Sequence, residues 1–257
     1  MIDLAKPRRT PRDLPLTRLL PNMLTLMSLC SGLTAMRFAM QDKWEAAALA
    51  IVIAGVFDML DGRVARLLNI VSKFGAELDS LSDVISFGVA PGFVIYEWAM
   101  KDASRLGWIA VLVYAVCAAL RLARFNTMLE DKTAPAWTKS YFNGVPAPGG
   151  AGLAILPLVY VLEFGPEAQI SPTLVSLWMI LIGALMVSRV PTFALKGWRI
   201  PRSWLAPIMA VAVLLLAGVI TDPWVTLGGI GTVYFLSIPC AFVVYKMRER
   251  REGSVNA

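Results

Sequence analysis

Eight stretches of mostly apolar residues divide the chain, at about 20–40, 45–68, 80–100, 107–127, 149–164, 172–189, 204–221 and 224–245, each bounded by charges, prolines or glycines. A helix needs about 20 apolar residues to cross the hydrocarbon core of a bilayer. Backbone polar groups at that depth must be satisfied without water, which restricts a spanning segment of this kind to a helix. The pattern predicts an all-α, polytopic integral membrane protein with about eight transmembrane helices. A mean hydropathy of +0.65 over 257 residues, only 16% of them charged, leaves too little polar surface for a soluble domain.

The basic residues set the orientation. Lys6, Arg8, Arg9, Arg12 and Arg18 precede the first stretch, and Arg63, Arg66 and Lys73 lie between the second and third. Arg121, Arg124, Lys132 and Lys139 follow the fourth, Arg189, Lys196, Arg199 and Arg202 the sixth, and Lys246, Arg248, Arg250 and Arg251 the eighth. Eight crossings put all of these on one side and leave Arg37, Lys43, Lys101 and Arg105 opposite. The positive-inside rule makes the crowded side cytoplasmic, so both termini are expected there, with the chain in the cell membrane. The net charge of +6 is then a rim facing anionic lipid headgroups, and no nucleic-acid-binding module is recognisable. Residues 1–18 are polar and basic, lack a small-residue cleavage site, and contain Pro7, Pro11 and Pro15. They read as a cytoplasmic arm and not as a signal peptide. Residues 19–203 form the membrane core, 204–245 an additional two-helix hairpin for packing or dimerisation, and 246–257 a basic tail.

The sequence contains no histidine. That excludes Ser-His-Asp and Cys-His nucleophiles, a phosphohistidine intermediate, His-ligated zinc and a His-ligated haem. Acid–base and metal chemistry must therefore run on carboxylates. Cys30, Cys117 and Cys240 are far apart in apolar runs and read as buried core residues.

Carboxylates are costly at membrane depth, yet Asp58, Asp61, Asp79 and Asp83 fall in or beside the second and third stretches. Residues three or four apart on a helix share a face, so each pair projects together. A turn around Asn69 to Lys73 lets two helices join the pairs. Four carboxylates that close repel unless cations sit between them. Oxygen-only donors suit Mg²⁺ or Mn²⁺, with Ca²⁺ a further candidate, and two ions would clamp a phosphodiester. Gly62, Ala65 and Gly75 among the acids admit either a ligand or a close helix neighbour. Arg66 is placed to bind phosphate or to anchor at headgroups.

The spacing Asp58-x2-Asp61-Gly62-x2-Ala65-Arg66-x8-Gly75-x3-Asp79-x3-Asp83 resembles the signature of the CDP-alcohol phosphatidyltransferase family, with every fixed position matched. The resemblance implies a membrane enzyme, commonly a homodimer, that transfers the phosphatidyl group of a CDP-linked lipid to an alcohol and releases CMP. It implies that Asp58, Asp61 and Asp79 hold one metal, that Asp58, Asp79 and Asp83 contribute to a second, and that Asp83 is the general base. Gly62, Ala65 and Gly75 would line the CDP site, with Arg66 on phosphate. An ordinary aspartate is a weak base for an alcohol, so Asp83 needs metal polarisation of the hydroxyl or help from the cluster.

Three further segments bear on the substrates. Pro21-Asn22-Met23-Leu24-Thr25 opens the first stretch, where Asn22 and Thr25 either face the CDP-lipid or simply form a helix start. Arg121-Leu122-Ala123-Arg124-Phe125-Asn126 closes the fourth; its arginines either clamp an anion or follow the positive-inside rule. The run Tyr141-Phe142-Asn143-Gly144-Val145-Pro146-Ala147-Pro148-Gly149-Gly150-Ala151 forces irregular backbone, which a membrane tolerates only where it is buried or lines a cavity. With Leu185-Met186-Val187-Ser188, these segments resemble the serine-accepting branch of the family, over roughly residues 18–200. That resemblance implies CDP-diacylglycerol as donor and L-serine as acceptor, with Arg121, Arg124 and Asn126 as acceptor-binding candidates. It also implies direct displacement with inversion at phosphorus. Two other readings stay open. One keeps the chemistry with glycerol 3-phosphate, inositol phosphate or an aminoalcohol as acceptor. The other is a divalent-cation transporter, which explains intramembrane acids but not the interleaved Gly-Ala-Arg-Gly spacing.

Overall fold

The computed structural model describes residues 19–69, 72–101, 104–129, 141–168, 170–193 and 204–253. The basic arm 1–18, Lys132, Lys139, Lys196, Arg199, Arg202 and the last four residues of the tail lie outside the described residues.

Each of the eight apolar stretches is helical: α1 (Leu20–Ala39), α2 (Trp44–Leu67), α3 (Lys73–Met100), α4 (Ser104–Leu129), the pair α5 (Ala147–Ala154) and α6 (Leu156–Phe164), α7 (Pro172–Val187), α8 (Leu205–Thr221) and α9 (Pro223–Gly253). Among the described residues, α3, α4 and α9 are long and apolar enough to cross a membrane, and α5 with α6 makes a fourth candidate if taken as one broken span. α7 and α8 are apolar but shorter, and α2 carries the acids.

The fifth stretch is bent by 40° between α5 and α6, where a single helix was expected. Pro157 has no amide to answer the Leu153 carbonyl four residues back, and the indole of Trp178 on α7 donates to that carbonyl at 2.8 Å. A related device operates in α3, which widens to a π-helix over Val84–Val89 just before Pro91. Pro91 cannot answer the Phe87 carbonyl, and the hydroxyl of fully buried Tyr114 on α4 donates to it at 2.7 Å. In both places an aromatic donor from a neighbouring helix replaces the missing backbone bond, as a water-free interior requires.

The all-α architecture fits, and two other expectations are corrected. One short ladder joins the helices: β1 (Tyr141–Asn143) pairs antiparallel with β2 (Pro191–Phe193), in the register Phe142 opposite Thr192. Both segments contain or adjoin residues that break helices, and each supplies the other's backbone partners. Next, α3 begins at Lys73, seven residues before the apolar run, because Ser72 caps it by accepting from the Gly75 amide at 3.0 Å. Finally, Cys30 and Cys240 are exposed and Cys117 is half-buried. In a bilayer an outward position is as apolar as a core one, so an apolar run does not place a cysteine inside.

The tightest packing joins α1, α2 and α3. The buried face of α1 is Pro21, Thr25, Ser28, Gly32, Ala35 and Ala39, a stripe of mostly small residues three or four apart. It meets Ala47, Ile51, Ala54 and Asp61 of α2. At Gly32 a Cβ would stand 2.8 Å from the Cα of Ser86, so no side chain fits between α1 and α3. This approach lets Ser28 donate to the Ala54 carbonyl (3.0 Å), Ser86 to the Ser28 carbonyl (3.1 Å) and Ser82 to the Thr25 carbonyl (3.1 Å). Small residues and buried hydroxyls take over the role that burial from water plays in soluble proteins.

Candidate active site

The acids sit at the end of the bundle where α2 finishes and α3 starts. Asn69 closes the α2 end with φ +52°, a left-handed conformation that asparagine tolerates better than most residues. From the α2 C-terminus and the α3 N-terminus, Asp61 and Asp79 are each six residues inward, and Asp58 and Asp83 nine and ten. At about 1.5 Å per residue, all four lie about 9–15 Å below the helix ends.

The structure brings the pairs together. Carboxylate oxygens of Asp58, Asp61 and Asp79 lie within 4.8 Å of one another. Asp83 adjoins them through a side-chain hydrogen bond with Asp58. Two carboxyl groups in such contact need a shared proton or a cation between them. Asp61 is buried and accepts from the Thr25 hydroxyl at 2.6 Å, so the α1 stripe that packs against α2 also orients an acid. The donor set is all oxygen. Ligands on opposite sides of an ion with ~2.1 Å bonds stand about 4.2 Å apart, so the spacing suits one Mg²⁺-sized ion. Hard ions are matched and thiophilic ones are not.

The glycines and neighbours fall where the sequence suggested. A Cβ on Gly75 would lie 3.0 Å from Asn22 Oδ1 and 3.1 Å from Ser72 Oγ, which places Asn22 of α1 against the first turn of α3. The Arg66 guanidinium folds back over Gly62, its nitrogens 3.9 Å from where a Cβ would stand. Ala65 is half-buried on the same helix.

The acceptor candidates separate. Arg124 Nη1 donates to the Val187 carbonyl at 2.8 Å, tying α4 to the end of α7. Asn126 Nδ2 donates to Ser80 Oγ at 2.9 Å, beside Asp79. Arg121 is different: it lies within electrostatic reach of Asp83 and Asp58, its Nε is buried, and that nitrogen has no hydrogen-bond partner among the described residues. The one ion pair among those residues is Lys101–Glu97, at the far end of α3. Arg121 is a largely enclosed cation with donor capacity to spare.

The Gly-Pro segment and the 185–188 segment form one unit. Gly144 has φ +80°, its amide donates to the Val190 carbonyl at 2.9 Å, and a Cβ there would be 2.5 Å from the Met186 carbonyl oxygen. The Val145 amide reaches the Leu185 carbonyl at 3.3 Å. Sequence reasoning missed the serines that hold the acids' helices together. Their spacing, with Ser82 and Ser86 four apart in an apolar helix, was the available signal.

The chain belongs to the CDP-alcohol phosphatidyltransferase family, whose model matches residues 18–175 and so includes all four acids. A second model, CDP-alcohol phosphatidyltransferase 2, matches residues 203–239. Relatives named CDP-diacylglycerol–serine O-phosphatidyltransferase include a protein of Mycobacterium leprae, 39% identical over 231 residues, covering 90% of this chain and 76% of that one. Another, from Bacillus subtilis, is 33% identical over 172 residues, covering 66% of this chain and 88% of its own length. A third, from Methanocaldococcus jannaschii, is 42% identical over 140 residues, covering 54% and 60%.

Proposed function

We propose that the protein transfers the phosphatidyl group of CDP-diacylglycerol to the hydroxyl of L-serine, giving phosphatidylserine and CMP. The observation that carries this reading is the convergence of three carboxylates within 4.8 Å in a chain similar over most of its length to serine O-phosphatidyltransferases. Asp58, Asp61 and Asp79 would hold one Mg²⁺ or Mn²⁺, and Asp58, Asp79 and Asp83 would contribute to a second, with Ca²⁺ a competing occupant. When bound, the ions supply charge neutralisation at the diphosphate and polarise the reacting groups.

The remaining work falls to the chain. Asn22, Thr25, Asp61, Gly62, Ala65, Arg66 and Gly75 receive the CDP-lipid, the glycines giving room and Arg66 a phosphate contact. Asp83 takes the proton of the serine hydroxyl as that oxygen attacks the phosphatidyl phosphorus. The phosphorus–oxygen bond to CMP breaks, and CMP leaves with the electron pair. No protein nucleophile intervenes, so configuration at phosphorus inverts. Arg121 receives the serine carboxylate: an enclosed guanidinium with an unpartnered Nε calls for an anion. Asn126 stands near the acceptor side through Ser80.

The basic residues support eight crossings with both termini and the site on the cytoplasmic side of the cell membrane. The same residues meet anionic headgroups, and the outward apolar faces serve a homodimer. The test is CMP release by purified protein given CDP-diacylglycerol, Mn²⁺ and one acceptor at a time. Release with radiolabelled serine, and incorporation of the label into lipid, is expected. Release only with glycerol 3-phosphate, an inositol phosphate or an aminoalcohol would move the assignment within the family. Metal flux in vesicles without CMP release would favour a transporter.

A further inference from the structure

The last helix reaches the same site from the far side of the bundle. α9 packs against β2 and α6, and this places Tyr234 over Gly149 of the Gly-Pro segment. A Cβ on Gly149 would stand 3.1 Å from Tyr234 Cε1 and 3.2 Å from its hydroxyl, so the ring is seated there only because residue 149 is glycine. One side of the ring lines an apolar cavity of about 280 Å³ shared with Gly152, Leu156, Ile230 and Gly231. The hydroxyl lies near Thr192 and within electrostatic reach of Arg121.

That hydroxyl is buried and has no hydrogen-bond partner among the described residues. Thr192 lies beside it without meeting hydrogen-bond geometry, and gives its own proton to the Gly144 carbonyl at 2.9 Å. Arg121 Nε is the other buried, unpartnered polar atom among those residues. The two lie within electrostatic reach of one another yet do not bond. Buried polar atoms are nearly always paired, and the Arg121 Nε–H and the Tyr234 O–H can both donate to one incoming acceptor. Asp83 and Asp58 lie within electrostatic reach of Arg121, so an anion held there is close to the base.

Resting on the reading that Arg121 receives the serine carboxylate, we propose that the Tyr234 hydroxyl is a second donor to that carboxylate, so that α9 completes the acceptor subsite. The consequence is specificity. An acceptor without a carboxylate leaves both buried donors unpaired, and sites built this way discriminate strongly against such analogues. The arrangement also gives the C-terminal hairpin a part in substrate choice beyond packing.

The experiment measures CMP release by the full chain with Mn²⁺ and saturating CDP-diacylglycerol, using L-serine and ethanolamine, which lacks the carboxylate, as acceptors. Tyr234→Phe keeps the ring and removes the hydroxyl. Its KM for serine is expected to rise about tenfold, the scale of one hydrogen bond to a charged group, with kcat and the KM for CDP-diacylglycerol within about twofold of wild type. Its preference for serine over ethanolamine should fall by the same factor. Gly149→Ala, which displaces the ring from the opposite side, should raise the serine KM in the wild-type background and add little to Tyr234→Phe. An unchanged serine KM in Tyr234→Phe, or equal losses with both acceptors, would overturn the proposal. Arg121→Gln in the same assay separates the two levels. If it leaves the serine KM unchanged, the carboxylate reading itself fails; if it raises it while Tyr234→Phe does not, only the role of Tyr234 is lost.

Discussion

The bundle of α1, α2 and α3 and the hairpin of α8 and α9 are both built from apolar helices, yet they are held in opposite ways. In the first, Gly32, Ala35, Ala54 and three serines bring backbones into contact, and the polar groups thus buried carry the acids. In the second, α8 buries none of its residues and leaves Leu214 and Ile220 at least 70% exposed. Between lipid-facing helices apolar surface gives no net driving force, so large side chains do not imply packing. The small and polar residues mark where this protein is rigid, and rigidity is what a cluster of four acids needs.

Substitutions can break that contrast, beginning with the site itself. Asp61→Asn or Asp79→Asn should lower serine-dependent CMP release by about 10³-fold or more, the several kcal/mol expected of a lost metal ligand. Asp83→Asn should abolish turnover while retaining binding of CDP-diacylglycerol; near-normal turnover would remove its assignment as base. Next in size, Gly32→Leu forces a side chain against the Ser86 backbone. It should cost about 1–3 kcal/mol by overpacking, read as a lower melting temperature in detergent. Leu33→Ala, on the outward face of the same helix, is its neutral control. Ser28→Ala and Ser86→Ala should each cost about 0.6 kcal/mol, the average found for interhelical hydrogen bonds in membranes. Smallest of all, Leu214→Ala in the hairpin should stay within about 0.5 kcal/mol of wild type. A large loss there would mean that α8 is covered by something more specific than lipid.

The same contrast explains what the sequence disclosed. The eight stretches were legible because helices that meet hydrocarbon must be apolar over much of their length, and each proved helical. Asp58, Asp61, Asp79 and Asp83 were legible because a carboxylate at that depth is too costly to be incidental. The start of α3 was not, since its first turns are polar and hydropathy sees only the apolar remainder; the Ser72 cap was the better marker. The bend after Ala154 was written in Pro157, but its tolerance depended on Trp178, which is distant in sequence. The pairing of β1 with β2 and the division of labour between Arg121 and Arg124 are tertiary facts, fixed by where α7 ends. Tyr234 gave no signal at all, one aromatic among many in an apolar run, until the fold set it against Gly149.

The central claim is that an all-carboxylate metal site performs the transfer. Its most direct test is serine-dependent CMP release by protein stripped with a chelator and then titrated with Mn²⁺, in wild type and Asp61→Asn. The expected result is no activity after stripping, full recovery in wild type at low Mn²⁺, and no recovery in Asp61→Asn over the same range. Undiminished activity in the stripped protein, or a wild-type response from Asp61→Asn, would contradict it.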